Sequence, residues 1–365
     1  MKVAFFLGGL NRGGAESLIL DICRKHAMAS FEAVCLYRKE GNYSNEFHAG
    51  DIPLLQLERK GGLLKYMYQL RRLLLRNNFD IVHAQTPSNA MLCFFCLFGT
   101  KIKIISTFHG HYETAQTWYL KIIYTFSEKV ICVSKVMIDY YVKRLKVSDF
   151  NNKLELVYNG INFSKFGYVV KRTNMDVLNL CMVGSFNSGR SHALIIEALH
   201  LLKQRKVLLP GVRFSFIGGG YRGEEFLFES CKELVHTYNL EDVVCFLGMR
   251  QDVPELLMQM DGFVYSSVSD TFGIAVVEAM AAGLPVIVND WEVMREITND
   301  GAWATLYRSN DAEDCADKID KLIHELRTNR EQVMQRCESI AHEVRAKFSI
   351  ENHIRQLEQI YNSLS

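Results

Sequence analysis

Short, almost continuously apolar runs alternate with longer amphipathic segments along the whole chain. An apolar run of this length is typical of a strand buried on both faces, as in a parallel sheet. The segments between the runs have the period of amphipathic helices, for example at 14–28 and 63–76. The runs lie at 2–7, 32–37, 79–83, 102–107, 129–133 and 154–158, and then at 177–183, 213–217, 243–247, 261–265, 285–288 and 302–306. The pattern predicts an α/β protein with two successive, doubly wound domains.

The alternation stops at 159–176, NGINFSKFGYVVKRTNMD, which begins with a turn-forming Asn-Gly pair and has no long periodic segment. A chain of 365 residues is long enough for two domains. We therefore predict domains at 1–165 and 177–345, joined by a linker at 166–176. The helical segment 346–365 closes the chain.

The composition is that of a globular protein with a full core, since 48% of the residues are apolar and 23% are charged. The ten cysteines are scattered, and the single C-x-x-C pair, Cys93 and Cys96, has no second pair to complete a metal site. They are interpreted as reduced core thiols in a reducing compartment. The longest strongly apolar run, 90–99, is about half of a membrane span. We expect a cytoplasmic protein whose membrane contact, if any, is peripheral, on the inner face of the plasma membrane.

Charge is distributed unevenly. Residues 1–165 contain 22 Lys and Arg against 13 Asp and Glu, a net charge of +9, and the remaining 200 residues have a net charge of −8. This asymmetry favours an anionic partner for the first half. The segment 59–79 has the pattern of a basic amphipathic helix, which predicts docking on an anionic membrane surface. The alternative is an ordinary helix with its apolar face in the core and its charges in water. No nucleic-acid motif is evident.

The segment 269–287, SDTFGIAVVEAMAAGLPVI, combines two acids with a predicted helix N-terminus after a strand. Such an N-terminus has free N–H groups and a partial positive charge, and it binds anions. If a diphosphate caps this helix, Asp270 and Glu278 are expected to contact sugar and ribose hydroxyls on either side. The alternative is that Asp270 is an N-cap and Glu278 an ordinary surface residue.

DTFGIAVVEAMAAGLPVI resembles the acid-x7-acid signature of the retaining glycosyltransferases of family 4, which are two-domain GT-B enzymes. The family usually has Glu where this chain has Asp270. Further segments resemble the family in the same order: FFLGGLNRGGAESLILDICR (5–24), IVHAQTP (81–87), STFHGH (106–111), VICVSKVM (130–137) and LVYNGINFSKF (156–166). The resemblance implies two Rossmann-like domains facing each other across a cleft, with the C-terminal helix packing back on the N-terminal domain.

The resemblance also implies roles for individual residues. His109, Asp270, Glu278 and Arg190 are expected to be catalytic. Further donor contacts are expected from Gly13, Gly14, Ser185, Gly219, Met249, Arg250, Phe272, Gly273 and Ile274. The acceptor side is expected to include Gly9, Arg12, Glu16 and His111.

One cation of the family pattern is missing. In CMVGSFNSGRSHALIIEAL (181–199), Ser185 stands where the family usually has Arg, and Arg190 where it has Lys. Both family cations neutralise the leaving diphosphate, and Arg190 can still bind phosphate through its guanidinium fork. Three arginines are candidates for the missing charge: Arg12, Arg222 and Arg250.

The activity implied is transfer, with retention, of a hexose or N-acetylhexosamine from a nucleotide-diphosphate sugar, a UDP-sugar in preference to GDP-mannose. The expected acceptor is lipid-linked or polysaccharide, in surface glycan biosynthesis. No cofactor is expected, and no metal, because a pair of histidines alone makes a poor metal site. The alternatives are a GT-B nucleotide-sugar epimerase and a non-catalytic nucleotide-binding scaffold. The loop after the first predicted strand does not have the pattern G-x-G-x-x-G, which argues against a dehydrogenase.

Overall fold

The computed structural model describes residues 1–50, 52–58, 60–148, 153–167, 177–207 and 211–364. The chain divides into two compact units. Unit 1 consists of Met1–Asn162 and Phe348–Ser365, and unit 2 of Phe163–Lys347. Most of the predicted linker, 168–176, lies outside the described residues.

Unit 1 is built on a parallel sheet of seven strands in the order β3-β2-β1-β4-β5-β6-β7. The strands are β1 (Lys2–Leu7), β2 (Glu32–Tyr37), β3 (Leu54–Gln56), β4 (Ile81–Ala84), β5 (Lys103–Phe108), β6 (Lys129–Cys132) and β7 (Leu154–Leu156). All six strands predicted for this half are present. The three-residue β3 is additional, since so short a run has no measurable periodicity.

Helices cover both faces of this sheet. They are α1 (Gly14–Arg24), α2 (Ser44–His48), α3 (Leu63–Arg76), α4 (Pro87–Leu97), α5 (Thr117–Phe126) and α6 (Lys135–Leu145). Alternate residues of β1 pack into separate cores: Val3 and Phe5 join the core around α1, while Ala4 and Phe6 join the core around α3 and α4. This two-sided burial explains why the strands are apolar at successive positions.

Unit 2 contains a parallel sheet of six strands in the order β10-β9-β8-β11-β12-β13. The strands are β8 (Leu178–Val183), β9 (Val212–Ile217), β10 (Val244–Gly248), β11 (Gly262–Tyr265), β12 (Val286–Asn289) and β13 (Thr305–Tyr307). The helices are α7 (His192–Gln204), α8 (Glu225–Thr237), α9 (Val253–Leu257), α10 (Ile274–Ala281), α11 (Glu292–Ile297), α12 (Ala312–Thr328) and α13 (Arg330–Phe348). Both units are Rossmann-like, as the alternation of strands and helices predicts.

The last helix, α14 (Ile350–Asn362), belongs to unit 1 and confirms the expected return of the chain to the first domain. The Ile161 N–H donates to the Phe348 carbonyl (2.8 Å), and the Ile350 N–H donates to the Ile161 carbonyl (3.0 Å). Gly160 permits this close approach, because a Cβ atom there would lie 2.6 Å from the His353 Cβ. Gly160 is therefore needed for packing of α14.

The cysteines are free thiols, and all except Cys245 are buried. Burial raises the pKa of Cys96 to about 11, so this thiol stays protonated. Cys93 and Cys96 pack in the core around α3 and α4. None of the helices in the described ranges is long and apolar enough to cross a membrane.

The strand order reverses between β1 and β4 in unit 1, and between β8 and β11 in unit 2. In doubly wound sheets, ligands bind beyond the carboxyl ends of the strands at such a switch point. The loops after β8 and β11 contain Ser185, Arg190 and Asp270, while the loop after β1 contains Gly9 and Arg12.

Candidate active site

Arg190 lies at the switch point of unit 2. Its backbone pairs with Ser267 in an isolated antiparallel bridge, which joins the loop after β8 to the loop after β11. The guanidinium Nε donates to the Tyr265 hydroxyl (2.7 Å), and Nη1 donates to the Ser185 Oγ (2.8 Å). Nη2 lies 3.6 Å from the Asp270 Oδ1, which is beyond hydrogen-bonding distance. The structure therefore brings together Ser185, Arg190 and Asp270.

Tyr265 is a site residue that the sequence did not indicate. It ends the apolar run of β11, where it is indistinguishable from a core aromatic residue. Its fully buried hydroxyl donates to the Asp270 Oδ2 (2.5 Å) and accepts from Arg190. Burial, with a further contribution from Asp270, raises the Tyr265 pKa well above its usual range, so the phenol keeps its proton.

Asp270 does not cap helix α10, so the alternative interpretation of this acid is wrong. The N-cap is Gly273, in the left-handed region at φ 85°. A Cβ atom there would also lie 2.9 Å from Met294 Cε. Phe272, which was expected to contact the donor, is 2% exposed. Any contact that it makes with a ligand there must therefore use its backbone.

Glu278 lies one turn inside α10 and is partly accessible to solvent, and its neighbours along the helix are apolar. No described residue forms a hydrogen bond or an ion pair with its carboxyl group. Burial raises its pKa to about 7. A desolvated carboxyl group without a protein partner, near a switch point, is more typical of a ligand-binding site than of an ordinary surface residue.

Two further loops lie beside the loop after β8, which contains Ser185 and Arg190. The Phe186 N–H donates to the Gly219 carbonyl (3.0 Å), so the loop after β9 lies against the loop after β8. A Cβ atom at Gly219 would be 3.8 Å from the Met249 Cβ, so the loop after β10 lies beside the loop after β9. The Met249 side chain is 74% exposed and is available for an apolar contact with a ligand.

The three candidate replacements for the missing cation differ in their partners. Arg12 pairs with Glu46 (2.7 Å), and Arg250 with Asp252 (2.6 Å). Arg222 is exposed and pairs with no described residue. Its loop also contacts the Ser185 loop, because the Tyr221 N–H donates to the Phe186 carbonyl (3.1 Å). Arg222 is thus the candidate whose charge is not already neutralised.

His109 lies just beyond β5 in unit 1, and its Nε2 is 2.9 Å from the Gln85 Oε1. The Gln85 Nε2 donates to the His83 carbonyl (3.3 Å), which orients the amide so that its oxygen faces His109. Nε2 of His109 therefore carries the proton. Burial, together with nearby His353, lowers the His109 pKa to about 4, so the ring is neutral near pH 7.

Two further buried histidines lie close to His109. The His83 ring bonds to the Tyr361 hydroxyl (2.6 Å) and to the Thr107 hydroxyl (2.6 Å). The His353 Nδ1 donates to the Tyr158 carbonyl (2.7 Å). Burial lowers the pKa of both rings, that of His353 to about 4. Helix α14 thus supplies two polar side chains, His353 and Tyr361, to the network beneath His109.

The glycine loop after β1 is less suited to phosphate than its sequence indicates. Gly13 is the N-cap of α1 and Gly14 its first residue. Glu16 lies in the first turn and accepts a hydrogen bond from its own backbone N–H, and burial raises its pKa. A carboxylate at a helix N-terminus competes with an incoming anion. With Gly9 and Arg12 nearby in sequence, this end of α1 is better suited to a hydroxyl-bearing ligand.

His111 does not join the His109 network through any contact described. Its ring packs edge-on against Tyr140, with the centroids 4.7 Å apart, and its carbonyl accepts from Arg144 (2.7 Å). Burial lowers its pKa. Within the described ranges, no three His, Cys, Asp or Glu side chains are grouped as metal ligands.

Two family models match the chain and together cover most of it. "Glycosyltransferase Family 4" matches residues 12–165, and "Glycosyl transferases group 1" matches residues 170–337. The chain belongs to the family 4 glycosyltransferases. The enzyme is therefore a transferase, and the candidate residues in unit 2 lie within the second matched segment.

The glycosyltransferase is similar to enzymes of known name and structure. It is 25% identical over 251 residues, or 62% of each chain, to the UDP-Gal:alpha-D-GlcNAc-diphosphoundecaprenol alpha-1,3-galactosyltransferase of Escherichia coli. The solved glycosyltransferase of Rickettsia africae ESF-5 has a TM-score of 0.87 at 20% identity, covering 100% of this chain and 98% of that one. Anabaena Alr3699/HepE, solved in complex with UDP and glucose, has a TM-score of 0.83 at 17% identity, with 100% of both chains covered. These likenesses show that the fold is GT-B.

Proposed function

We propose that this glycosyltransferase transfers a hexose or N-acetylhexosamine, with retention, from a UDP-sugar to a lipid-linked or polysaccharide acceptor in surface glycan biosynthesis. The observation that carries the proposal is that unit 2 offers both a positively charged group and an acid without a partner among the described residues. Arg190 offers Nη2 to a diphosphate, and Glu278 offers its carboxyl group to hydroxyls.

The choice of UDP rests on the relatives. The Escherichia coli enzyme is named for UDP-galactose, and Alr3699/HepE was solved with UDP and glucose. The same Escherichia coli name supports a lipid-linked acceptor, since its acceptor is a sugar on diphosphoundecaprenol. Retention is proposed from the resemblance of the segment around Asp270 and Glu278 to retaining enzymes.

Catalysis in this proposal is mainly electrostatic. As the bond from the sugar to the diphosphate breaks, negative charge develops on the leaving UDP. Arg190 and the N–H groups at the start of α10 stabilise that charge, with Arg222 as the second cation. Asp270 binds sugar hydroxyls and Glu278 binds ribose hydroxyls. Neutral His109 orients the donor sugar as a hydrogen-bonding group.

The experiment that tests this function is a screen of UDP- and GDP-sugars for slow hydrolysis by the purified protein, followed by transfer to an undecaprenyl-linked sugar. UDP release from one or more UDP-sugars, with retained anomeric configuration in the product, is the expected result. Preference for a GDP-sugar would refute the donor assignment. Release of free epimerised sugar would favour the epimerase alternative.

A surface on unit 1 suits the membrane part of the proposal. Helix α3 buries Leu70 and Leu74, so that part of its predicted apolar stripe belongs to the core. Leu64 (81% exposed) remains at the surface. On α5 and just after α4, Trp118 (62%) and Phe98 (76%) are also exposed. Residues 60–127 contain eight Lys and Arg against two Asp and Glu. Exposed aromatic residues among positive charges are typical of docking on anionic lipid.

Liposome co-sedimentation tests this docking surface. Binding should increase with the fraction of anionic lipid and fall with salt, and the double variant Phe98→Ser/Trp118→Ser should weaken it about tenfold or more. Phe226→Ser is the matched control, because Phe226 is a similarly exposed (64%) aromatic residue of unit 2. Binding that is insensitive to anionic lipid and salt, or equal losses in both variants, would exclude the surface.

A further inference from the structure

Tyr265 lies between Arg190 and Asp270 and hydrogen bonds to both. We propose that Tyr265 is a positioning residue whose hydroxyl keeps the Arg190 guanidinium and the Asp270 carboxylate 3.6 Å apart and prevents them from closing into a hydrogen-bonded, bidentate ion pair. Arg190 then remains available to the donor diphosphate, and Asp270 to the sugar. The inference rests on the proposed function, because it names the diphosphate of UDP as the anion that Arg190 binds.

Chemistry fixes the direction of both hydrogen bonds. A guanidinium cannot accept, so the Arg190 Nε–H must donate to the phenol oxygen (2.7 Å). A carboxylate cannot donate, so the phenol proton must go to the Asp270 Oδ2 (2.5 Å). A single group that both accepts and donates is required between these two side chains. Phenylalanine would fill the same space but perform neither task.

The neighbours of Tyr265 hold this hydroxyl in place. The side chain is fully buried at the end of β11, and its ring is nearly parallel to Phe263 at a centroid distance of 5.9 Å. The Tyr307 hydroxyl donates to the Tyr265 carbonyl (3.2 Å). A tyrosine side chain has only two rotatable bonds before the ring, so burial fixes the position of its oxygen. The hydroxyl therefore acts as a rigid spacer.

The hydrogen bonds of the three guanidinium nitrogens show which nitrogen of Arg190 is available to a ligand. Nε is used by Tyr265, and Nη1 by the Ser185 hydroxyl and carbonyl. Nη2 has only the distant Asp270 Oδ1 at 3.6 Å. The free hydrogens of the guanidinium therefore lie on Nη2. A phosphate oxygen binding there needs no existing hydrogen bond to break.

Removal of the Tyr265 hydroxyl should let the Arg190 guanidinium and the Asp270 carboxylate approach to hydrogen-bonding distance. The Nε and Nη2 edge of a guanidinium and a carboxylate form a bidentate pair in their preferred geometry. Both side chains are about one-fifth exposed, 22% for Arg190 and 20% for Asp270, so water compensates little for a lost partner. In Tyr265→Phe, Asp270 should therefore occupy the edge of Arg190 that UDP needs.

The test is the affinity for UDP, measured by calorimetry on the 365-residue protein. Tyr265→Phe should weaken UDP binding roughly 10- to 100-fold, as expected for the loss of a charge-assisted contact. Asp270→Asn should not weaken it, although sugar transfer should fall. In the double variant Tyr265→Phe/Asp270→Asn, the affinity should return to that of Asp270→Asn, because no carboxylate is left to neutralise Arg190.

This rescue separates positioning from mere structural support. Tyr37→Phe is the matched control, since it removes the hydroxyl of a buried tyrosine in unit 1 that likewise donates to a carboxylate, Glu40 (2.8 Å), and it should leave UDP affinity within about twofold. If Tyr265→Phe does not fold, the comparison of Asp270→Asn with the double variant still decides. A tenfold weaker double variant would overturn the proposal, as would unchanged affinity in Tyr265→Phe.

The two proposals fail in distinguishable ways. If the wild-type protein neither binds UDP nor releases it from any UDP-sugar, the proposed function fails, and this inference fails with it. If the wild-type protein transfers sugar from a UDP-sugar and Tyr265→Phe binds UDP equally well, only the positioning role is excluded.

Discussion

The two units bury polar side chains in opposite ways. In unit 1, His83, His109 and His353 are neutral, and each bonds to a hydroxyl, an amide or a backbone carbonyl. In unit 2, Arg190 and Asp270 bear opposite charges, and the buried Tyr265 hydroxyl lies between them and bonds to both.

The difference indicates how the work of the enzyme is divided. A neutral network holds ring orientations without adding a field, and its groups satisfy one another. A separated ion pair, by contrast, keeps a positive charge that an anion can bind. We therefore expect unit 2 to supply the stabilisation of the leaving diphosphate, and unit 1 to supply orientation. Unit 2 has one neutral buried histidine of its own, His192, whose ring stacks on Phe186 at 3.8 Å.

Acid should destabilise unit 1 more steeply than unit 2, and this is the largest effect that the comparison predicts. Burial lowers the pKa of His83, His109 and His353, so below about pH 6.5 the unfolded chain binds protons that the folded unit does not. The free energy of unfolding then falls as pH decreases from 6.5 toward 4, by up to about 4 kcal/mol per pH unit for three such groups. Hydrogen exchange of β4 and α14 between pH 5 and 7 measures this slope.

A variant identifies the source of this slope. His353→Asn retains a donor for the Tyr158 carbonyl and removes one titrating ring, so the slope should flatten by about 1.4 kcal/mol per pH unit. His236→Asn changes an exposed histidine (86%) of unit 2 and should leave the slope in unit 1 unchanged. Equal slopes in both units would refute the contrast.

Arg190→Gln should reduce sugar transfer about 100-fold or more, because it removes the charge that stabilises the leaving diphosphate. Glutamine keeps a donor and most of the volume, so the fold should persist. The initial rate of UDP release measures the effect. The control is Arg205→Gln, which breaks a surface ion pair with Asp317 and should leave the rate within twofold. Full activity in Arg190→Gln would mean that another residue stabilises the leaving diphosphate.

The fold was predictable from the sequence because it depends on repeated local patterns. Each predicted strand is present. A strand buried on both faces is an apolar run whichever elements pack against it, so it can be recognised from the sequence. Helix α2 and strand β3 were missed because five and three residues are too few to show a period. The sequence could not decide whether the apolar side of 59–79 faces a membrane, because leucines such as Leu70 and Leu74 have the same spacing whether they face a core or a lipid.

The candidate site was predictable only where its residues follow strands. The family resemblance indicated Ser185, Arg190 and Asp270, and topology explains why they lie together, since strand-end loops meet at a switch point. Tyr265 and Gln85 were not predictable, because a tyrosine in an apolar strand and a glutamine after one are common. Their importance depends on contacts between loops that are distant in sequence.

Glu278→Gln should stabilise unit 2 at neutral and higher pH while it reduces transfer. The pKa of Glu278 is raised from 4.5 to about 7, so stability is lost as pH rises through this interval, in which the unfolded chain ionises first. Glutamine removes that loss. Because part of the side chain is accessible, we expect a gain on the order of 1–2 kcal/mol at pH 8 and none at pH 4. Urea unfolding at the two pH values measures it, and an equal gain at both would show that burial of the charge is not the cause.

Gln85→Leu should have the smallest effect, about tenfold in transfer rate, since it disturbs the orientation of His109 and removes no charge. The Gln85 oxygen fixes the proton of His109 on Nε2, and leucine offers no acceptor there. Nitrogen NMR of the imidazole should show one tautomer in the wild-type protein and a mixture in Gln85→Leu. Gln85→Glu retains the acceptor, so it should keep the Nε2–H tautomer and raise the pKa of His109 above about 4. Because this readout does not depend on catalysis, it tests the neutral network of unit 1 separately from the charges of unit 2. An unchanged tautomer in Gln85→Leu would mean that the ring is oriented by its packing alone.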